Sequence, residues 1–145
     1  MTQVLISHRG NINGPNKQQE NSPEYIINAL NLGYNVEIDV WCINGHFFLG
    51  HDKPQYYVDE SFLINSQLWC HAKNIDALEI MLNNPKIHCF WHENDTVTIT
   101  SKGFIWTFPG SQLISNSIAC LPEMIIFDNI EKAHGICSDF ISKYK

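Results

Sequence analysis

Long apolar runs and basic charge are both scarce in this sequence of 145 residues. No run approaches the roughly 18 consecutive apolar residues that a membrane-spanning helix needs. Lysine and arginine number 9 against 15 aspartates and glutamates, giving a formal net charge of −6, whereas nucleic-acid binding favours a basic surface. The opening MTQVLISHRG lacks the basic segment and long apolar stretch of a signal peptide. We therefore expect no membrane insertion, no nucleic-acid partner and no signal peptide.

The cysteines also show no pattern typical of disulfide pairs or metal-binding pairs. The five cysteines are odd in number, form no C-x-x-C pair, and lie in or beside apolar runs, as small buried residues do. We interpret them as reduced thiols of a cytoplasmic protein, with a single disulfide as the alternative. They are Cys42, Cys70, Cys89, Cys120 and Cys137.

Two helices are predicted in the first 85 residues. The first has Asn21 or Ser22 as its N-cap and ends at Gly33, with apolar residues at helical spacing between them. The second covers NIDALEIMLNN, residues 74–84, immediately before a proline. Later segments show no comparable helical pattern.

Most of the remaining chain consists of short β-like runs separated by turns. Asn44-Gly45 and Ser101-Lys102 are typical of hairpin connections. The nine runs are 3–8, 35–41, 46–51, 67–73, 87–92, 96–100, 103–108, 117–122 and 135–141.

One strand, VEIDVW, places two acids on the same face. Glu37 and Asp39 are two residues apart and alternate with valine and isoleucine. Two carboxylates on one face repel each other, and a divalent cation would offset that repulsion. The alternative is a solvated face on an edge strand.

Other runs end in residues with acid–base or charge chemistry. In a parallel α/β barrel the carboxyl ends of the strands carry the active site. The residues at or near these ends are His8, His51, His71, Lys73, His92 and Asp139.

The motifs of the first 52 residues resemble those of the glycerophosphodiester phosphodiesterase family, in the phospholipase-C-like phosphodiesterase superfamily. That family has HRG, then P-E-N-[ST], then E-x-D on a strand, then a glycine turn and HD. WCHAK resembles its E-x-K strand, and GICSDF resembles its last strand, which often ends in aspartate. The matching residues are His8-Arg9-Gly10, Glu20-Asn21-Ser22, Glu37-Ile38-Asp39, Asn44-Gly45 and His51-Asp52.

The resemblance implies a fold as well as an activity. Its members are TIM barrels, which usually need about 250 residues, so this chain would be an unusually short member. We expect a single α/β domain over residues 1–145, a minimal TIM-barrel-like fold with several outer helices missing or shortened. Strand faces without helices would be apolar and exposed, which predicts a homo-oligomer.

The resemblance also implies roles for individual residues. His8 and His51 would exchange protons in catalysis, and Arg9 and Lys73 would bind phosphate. Metal ligands would come from Glu37, Asp39 and the position of His71. Four residues keep two interpretations each: Glu20 as metal ligand or partner of Arg9, Asn21 as site residue or helix cap, Asp52 as orienting group or water-mediated ligand, and Trp106 as cleft wall or core.

His71 departs from the family, which has a third acid at this position. The family uses Mg²⁺ or Ca²⁺, but an imidazole ligand favours Mn²⁺ or Zn²⁺. His71 contacting phosphate instead, or serving only the structure, remains open.

The predicted function is a metal-dependent phosphodiester hydrolase of lipid metabolism that acts on small glycerophosphodiester-like substrates. Two alternatives use the same residues: lyase-type cleavage through a cyclic phosphate, and a catalytically inactive phosphate-ester binding protein. A structural zinc module is disfavoured, because the histidine and cysteine spacings do not fit. Nothing in the sequence indicates the alcohol group of the substrate.

Overall fold

Ten strands share one mixed sheet in the computed structural model, which describes residues 2–145. The strands are β1 Val4–His8, β2 Asn35–Ile43, β3 His46–Leu49, β4 Tyr56–Val58, β5 Leu68–Ala72, β6 Cys89–Phe90, β7 Val97–Ile99, β8 Ile105–Thr107, β9 Ser117–Cys120 and β10 Gly135–Ser138. The α-helices are α1 Pro23–Asn31, α2 Glu60–Leu63 and α3 Ile75–Leu82, and two 3-10 turns cover Ile130–Lys132 and Ile141–Tyr144.

Seven strands run parallel, in the order β6-β5-β2-β1-β10-β9-β8. The other three are antiparallel: β3 pairs with the second half of β2, β4 pairs with β3, and β7 pairs with β8. The first strand of the chain therefore lies near the middle of the parallel set, beside the last.

The prediction of a TIM-barrel-like α/β fold is wrong. The described residues form a mostly β half-barrel with three short helices. Hairpins, loops and 3-10 turns make most of the connections, and β6 pairs with β5 alone. The Ser101 amide donates to the Cys89 carbonyl at 2.8 Å and the Ser101 hydroxyl accepts from the Cys89 amide at 2.9 Å, which connects β6 to the β7–β8 hairpin without forming a ladder. A chain of this length has too few residues for a helix after every strand.

Both predicted helices are confirmed. The Ser22 hydroxyl accepts a hydrogen bond from the Tyr25 amide at 3.2 Å, and Gly33 follows α1 with a φ of 93°. Asn74 caps α3 by accepting from the Ala77 amide at 3.1 Å, and its side chain also bonds the backbone of Cys42 in β2.

The alternation in β2 separates two environments. Val36, Ile38 and Val40 are fully buried in an apolar cluster on the face that α1 and α3 cover. The opposite, concave face has an aromatic floor, where the Trp106 ring centroid lies 4.5 Å from that of Phe90 and 5.8 Å from that of Trp69. Glu37 and Asp39 lie on this concave face, so the aromatic residues form the base of a polar site.

All five cysteines are buried and unpaired, as predicted. Among the described residues, no helix has both the length and the apolar character to cross a membrane.

Candidate functional site

The concave end of the half-barrel collects side chains from the carboxyl ends of four adjacent parallel strands. His8 ends β1, Glu37 and Asp39 lie in β2, His71 lies in β5, and Asp139 follows β10. Parallel pairing sets His8 opposite Glu37 and Asp39 opposite His71. Residues distant in sequence meet here because carboxyl ends of parallel strands share one edge.

The acid pair is almost completely buried, with Glu37 2% and Asp39 1% exposed. Asn21 binds Asp39 twice: its Nδ2 donates to Oδ2 at 2.8 Å, and its Oδ1 accepts from the Asp39 amide at 2.9 Å. Burial opposes ionisation, but the adjacent His51 and Arg9 hold the pKa of Asp39 well below its usual range. Oε1 of Glu37 and Oδ1 of Asp39 lack hydrogen-bond partners within the described residues.

His71 faces these two carboxylates through its Nδ1. That nitrogen is 3.4 Å from Oε2 of Glu37 and 3.5 Å from Oδ1 of Asp39. Its Nε2 donates to the carbonyl oxygen of His92 at 2.7 Å, which requires a proton on Nε2. In the neutral imidazole the Nδ1 lone pair then points at two carboxylates, and only a cation or a second proton makes this arrangement favourable.

These three side chains fit a divalent metal. One ligand atom from each of Glu37, Asp39 and His71 lies within 4.8 Å of the others. Two oxygens and one nitrogen suit borderline metals such as Mn²⁺ or Zn²⁺, and a backbone carbonyl on the distal imidazole nitrogen is the usual support of a histidine ligand. Glu20, the fourth predicted ligand, lies outside this cluster and binds Arg9 and Asn11 instead.

His8 is held by Asp139. Its Nδ1 donates to Oδ1 of Asp139 at 2.7 Å, while its Nε2 lies 3.8 Å from Oε1 of Glu37. Burial alone would lower the pKa of His8, but the hydrogen bond to Asp139 and the charge of Glu37 outweigh burial and raise it. The Nε2 of His8 is therefore the nitrogen available for proton exchange.

Arg9 connects the acids to the second predicted catalytic histidine. Its guanidinium donates to Oε1 of Glu20 at 3.2 Å and to Nδ1 of His51 at 2.7 Å, and its Nε lies 3.2 Å from Oδ2 of Asp39. Because Arg9 donates to Nδ1 of His51, the neutral imidazole carries its proton on Nε2. Asp52 is 93% exposed, and its Oδ1 is 3.7 Å from that Nε2.

A cavity of about 400 Å³ opens over these groups. His8, Arg9, His51 and His71 line its polar part. Lys73 also lines it and, within the described part of the chain, makes no ion pair, so its ammonium group can meet an anion. Trp106 lines the cavity and also packs in the buried aromatic floor, so it lies both at the cleft wall and in the core.

Sequence reasoning gave no site role to Asn11 or to the backbone of His92. Asn11 is fully buried and its Nδ2 donates to Glu20 at 3.1 Å and to Asp139 at 2.9 Å, so it ties the Arg9 and His8 partners together. His92, named above only as the end of a β-like run, is buried. Asp139 was noted only as the end of a strand. A polar residue directly after HRG is the sole sequence signal for Asn11.

Comparisons of the chain with protein-family models, with curated proteins and with solved structures give no match.

Proposed function

We propose that the protein is a metal-dependent phosphodiester hydrolase, related to the glycerophosphodiester phosphodiesterases by the motifs of its first 52 residues. The observation that supports this most strongly is the convergence of Glu37, Asp39 and His71, with two buried carboxylate oxygens unpartnered. A buried negative pair without compensation is costly. The arrangement is explained if a cation completes it.

A divalent ion held by these three residues would neutralise charge on the phosphate oxygens of a bound diester. The chain supplies the proton carriers and the anion contacts. Asp139 occupies Nδ1 of His8 and Arg9 occupies Nδ1 of His51, so each imidazole keeps its Nε2 for exchange. One Nε2 accepts the proton of the attacking water, and the other returns a proton to the leaving alkoxide as the P–O bond breaks.

The anion contacts are unequal. Lys73 lines the cavity and has no ion-pair partner in the described part of the chain, whereas the guanidinium of Arg9 already binds Glu20 and His51. We therefore assign the main phosphate contact to Lys73, and to Arg9 the orientation of His51 with a secondary phosphate contact, since Arg9 also lines the cavity. The substrate is proposed to be a small glycerophosphodiester-like molecule, and the five reduced thiols favour a cytoplasmic location.

The test is turnover of glycerophosphocholine by protein first stripped of metal, with Mg²⁺, Ca²⁺, Mn²⁺ and Zn²⁺ added separately. His8→Ala and Asp39→Asn should each abolish turnover. Asp76→Asn is the matched control, because it removes an exposed carboxylate on α3, which covers the opposite face of β2. Metal should also raise the melting temperature of the parent but not of Asp39→Asn, since a ligand that binds only the folded state stabilises it.

Three outcomes are distinguishable. Monoester product with metal supports hydrolysis, whereas a cyclic phosphate as the only product would show the lyase-type reaction. Substrate binding without turnover under any of the four metals would show a phosphate-ester binding protein.

A further inference from the structure

Three consecutive large apolar side chains are exposed in the loop that follows β9, and the first of them lines the cavity. Met124, Ile125 and Ile126 are 70%, 51% and 84% exposed, and Met124 also lines the cavity. We call residues 124–126 the apolar lip. Single exposed apolar residues are ordinary, but a contiguous set beside a binding cavity indicates contact with an apolar ligand group.

The lip is held in place from both sides. On one side the Glu123 carboxylate accepts from the Ser138 hydroxyl at 2.9 Å and from the Asp139 amide at 2.8 Å. On the other side Phe127 is buried in an apolar cluster. Gly110 lies directly against Ile125, leaving no room for a Cβ atom. The anchored loop therefore fixes the exposure of the lip side chains.

The apolar surface continues from the lip into the cavity. Trp106 and Phe108 lie on or directly after β8 and Leu121 follows β9, next to the loop of Met124, and all three line the cavity. The polar lining comes mainly from β1, β2 and β5 and from the loop 92–94 after β6. A ligand that fills the cavity therefore meets charged and hydrogen-bonding groups at one end and apolar side chains at the other.

We propose that the substrate is a single-chain amphiphilic phosphodiester, with its phosphate at the histidines and its hydrocarbon chain leaving along Trp106 and Phe108 over the apolar lip. This inference rests on the proposed hydrolase function. Met124 connects the lip to the cavity interior, which only a bound molecule can occupy. Its three side chains are few compared with the 20–30 residues per partner in a standard protein interface. A net charge of −6 also disfavours anionic membrane surfaces.

The test uses phosphocholine diesters that carry either no acyl chain or a single acyl chain of varied length. Glycerophosphocholine is compared with lysophosphatidylcholines of six, eight and ten acyl carbons, all kept below their critical micelle concentrations. Dissociation constants are measured by calorimetry in the His8→Ala protein, and kcat/KM is measured in the parent. Binding should tighten with each added methylene, by at most about fourfold for one that is fully buried.

The double variant Ile125→Ser/Ile126→Ser should reduce the advantage of the ten-carbon ester over glycerophosphocholine at least fivefold. Ile99→Ser is the matched control, because Ile99 is 69% exposed and lies in β7, opposite the first residue of β8 and away from the carboxyl ends of the parallel strands. The control should keep the full chain-length dependence. Equal losses in both proteins would overturn the assignment of the lip.

The two proposals fail in different ways. Turnover of glycerophosphocholine with no gain from chain length would overturn the amphiphilic substrate and leave the hydrolase standing. Tighter binding with longer chains but no turnover under any metal would overturn the hydrolase and leave the amphiphilic ligand standing. Binding to phosphatidylcholine vesicles that depends on the lip residues, measured separately, would show a lipid-surface contact in place of the substrate site.

Discussion

The buried carboxylates of Glu37 and Asp39 differ in how well their charge is compensated. Asp39 has Asn21, Arg9 and His51 close to its Oδ2. Within residues 2–145, the ion-pair partners of Glu37 are two imidazoles, at 3.8 Å in His8 and 3.4 Å in His71. The position of His71 therefore decides how much negative charge the site presents to a cation.

Replacing His71 by an acid should change which metal binds. His71→Glu adds a third carboxylate and removes the imidazole, so affinity should shift from Mn²⁺ or Zn²⁺ toward Mg²⁺ and Ca²⁺, by about tenfold in the ratio of dissociation constants. Titration calorimetry of metal-free protein measures that ratio. His46→Glu, at an exposed position at the start of β3, should leave the ratio unchanged. An unchanged ratio in His71→Glu would remove His71 from the ligand set.

A different histidine should make stability depend on pH. Burial, aided by the charge of Lys102, lowers the pKa of His88 to about 4 from an ordinary value of 6.5. Between these values the unfolded chain binds a proton that the folded chain does not, so stability is complete above pH 6.5 and falls as the pH drops toward 4. At pH 5 the loss attributable to His88 should be about 1–2 kcal/mol.

Urea denaturation at pH 5 and pH 7.5 measures this loss. Oε1 or Nε2 of glutamine can replace the bond between His88 and the Thr100 hydroxyl, which is 2.7 Å long, without titrating. His88→Gln should therefore lose less stability than the parent on acidification. The same slope in both proteins would mean that His88 is protonated in the folded state.

At the scale of elements, the short strands and their turns were predictable from the sequence, whereas the arrangement of the strands as a half-barrel was not. All nine predicted β-like runs contain a strand, and both predicted hairpins form, because Val, Ile and aromatic runs broken by Gly or Asn reflect local backbone preference. β4 and α2 were missed, since YYV and ESFL are too short to show a period. The barrel prediction came from the family resemblance, and the absent helices overturn it.

The site residues that belong to a local sequence motif were predictable. The residues that hold them in place from distant parts of the chain were not. Alternation in β2 placed Glu37 and Asp39 on one face, and the structure brings His71 to them. The backbone carbonyl of His92 binds His71, and the side-chain amide of Asn11 binds Asp139. These are tertiary contacts, which leave no periodic signal in a single sequence.

The start of α1 separates a helix cap from a site residue. Ser22 is the N-cap, whereas Asn21, at a φ of 67°, binds Asp39. Asn21→Gly tolerates that backbone conformation and removes only the side chain, so metal affinity should fall about 10–100-fold, as for other groups that orient a ligand. Ser22→Ala should cost about 1 kcal/mol of stability with unchanged metal affinity. Calorimetry and urea denaturation separate the two effects, and matching metal affinities would assign Asn21 to the helix alone.

At the scale of the whole molecule, the homo-oligomer remains a prediction. Exposed apolar side chains lie on the two helices that pack against β2: Ile27 on α1, and Ile75 and Leu82 on α3. Covering them against a second copy would remove apolar surface from water. Light scattering should give at least twice the monomer mass, and Ile27→Lys/Leu82→Lys should reduce it to that of the monomer. A monomeric parent at micromolar concentration would contradict the prediction.

The neighbouring positions of β1 and β10 have a consequence for the order in which the protein assembles. The three candidate metal ligands lie within residues 37–71, on two strands that pair directly. His8 receives its orienting carboxylate from a residue 131 positions later. Closing so long a loop is slow compared with local pairing. During synthesis and folding, the acids and His71 can thus come together, and take up a cation, before the proton-carrying histidine is held in place.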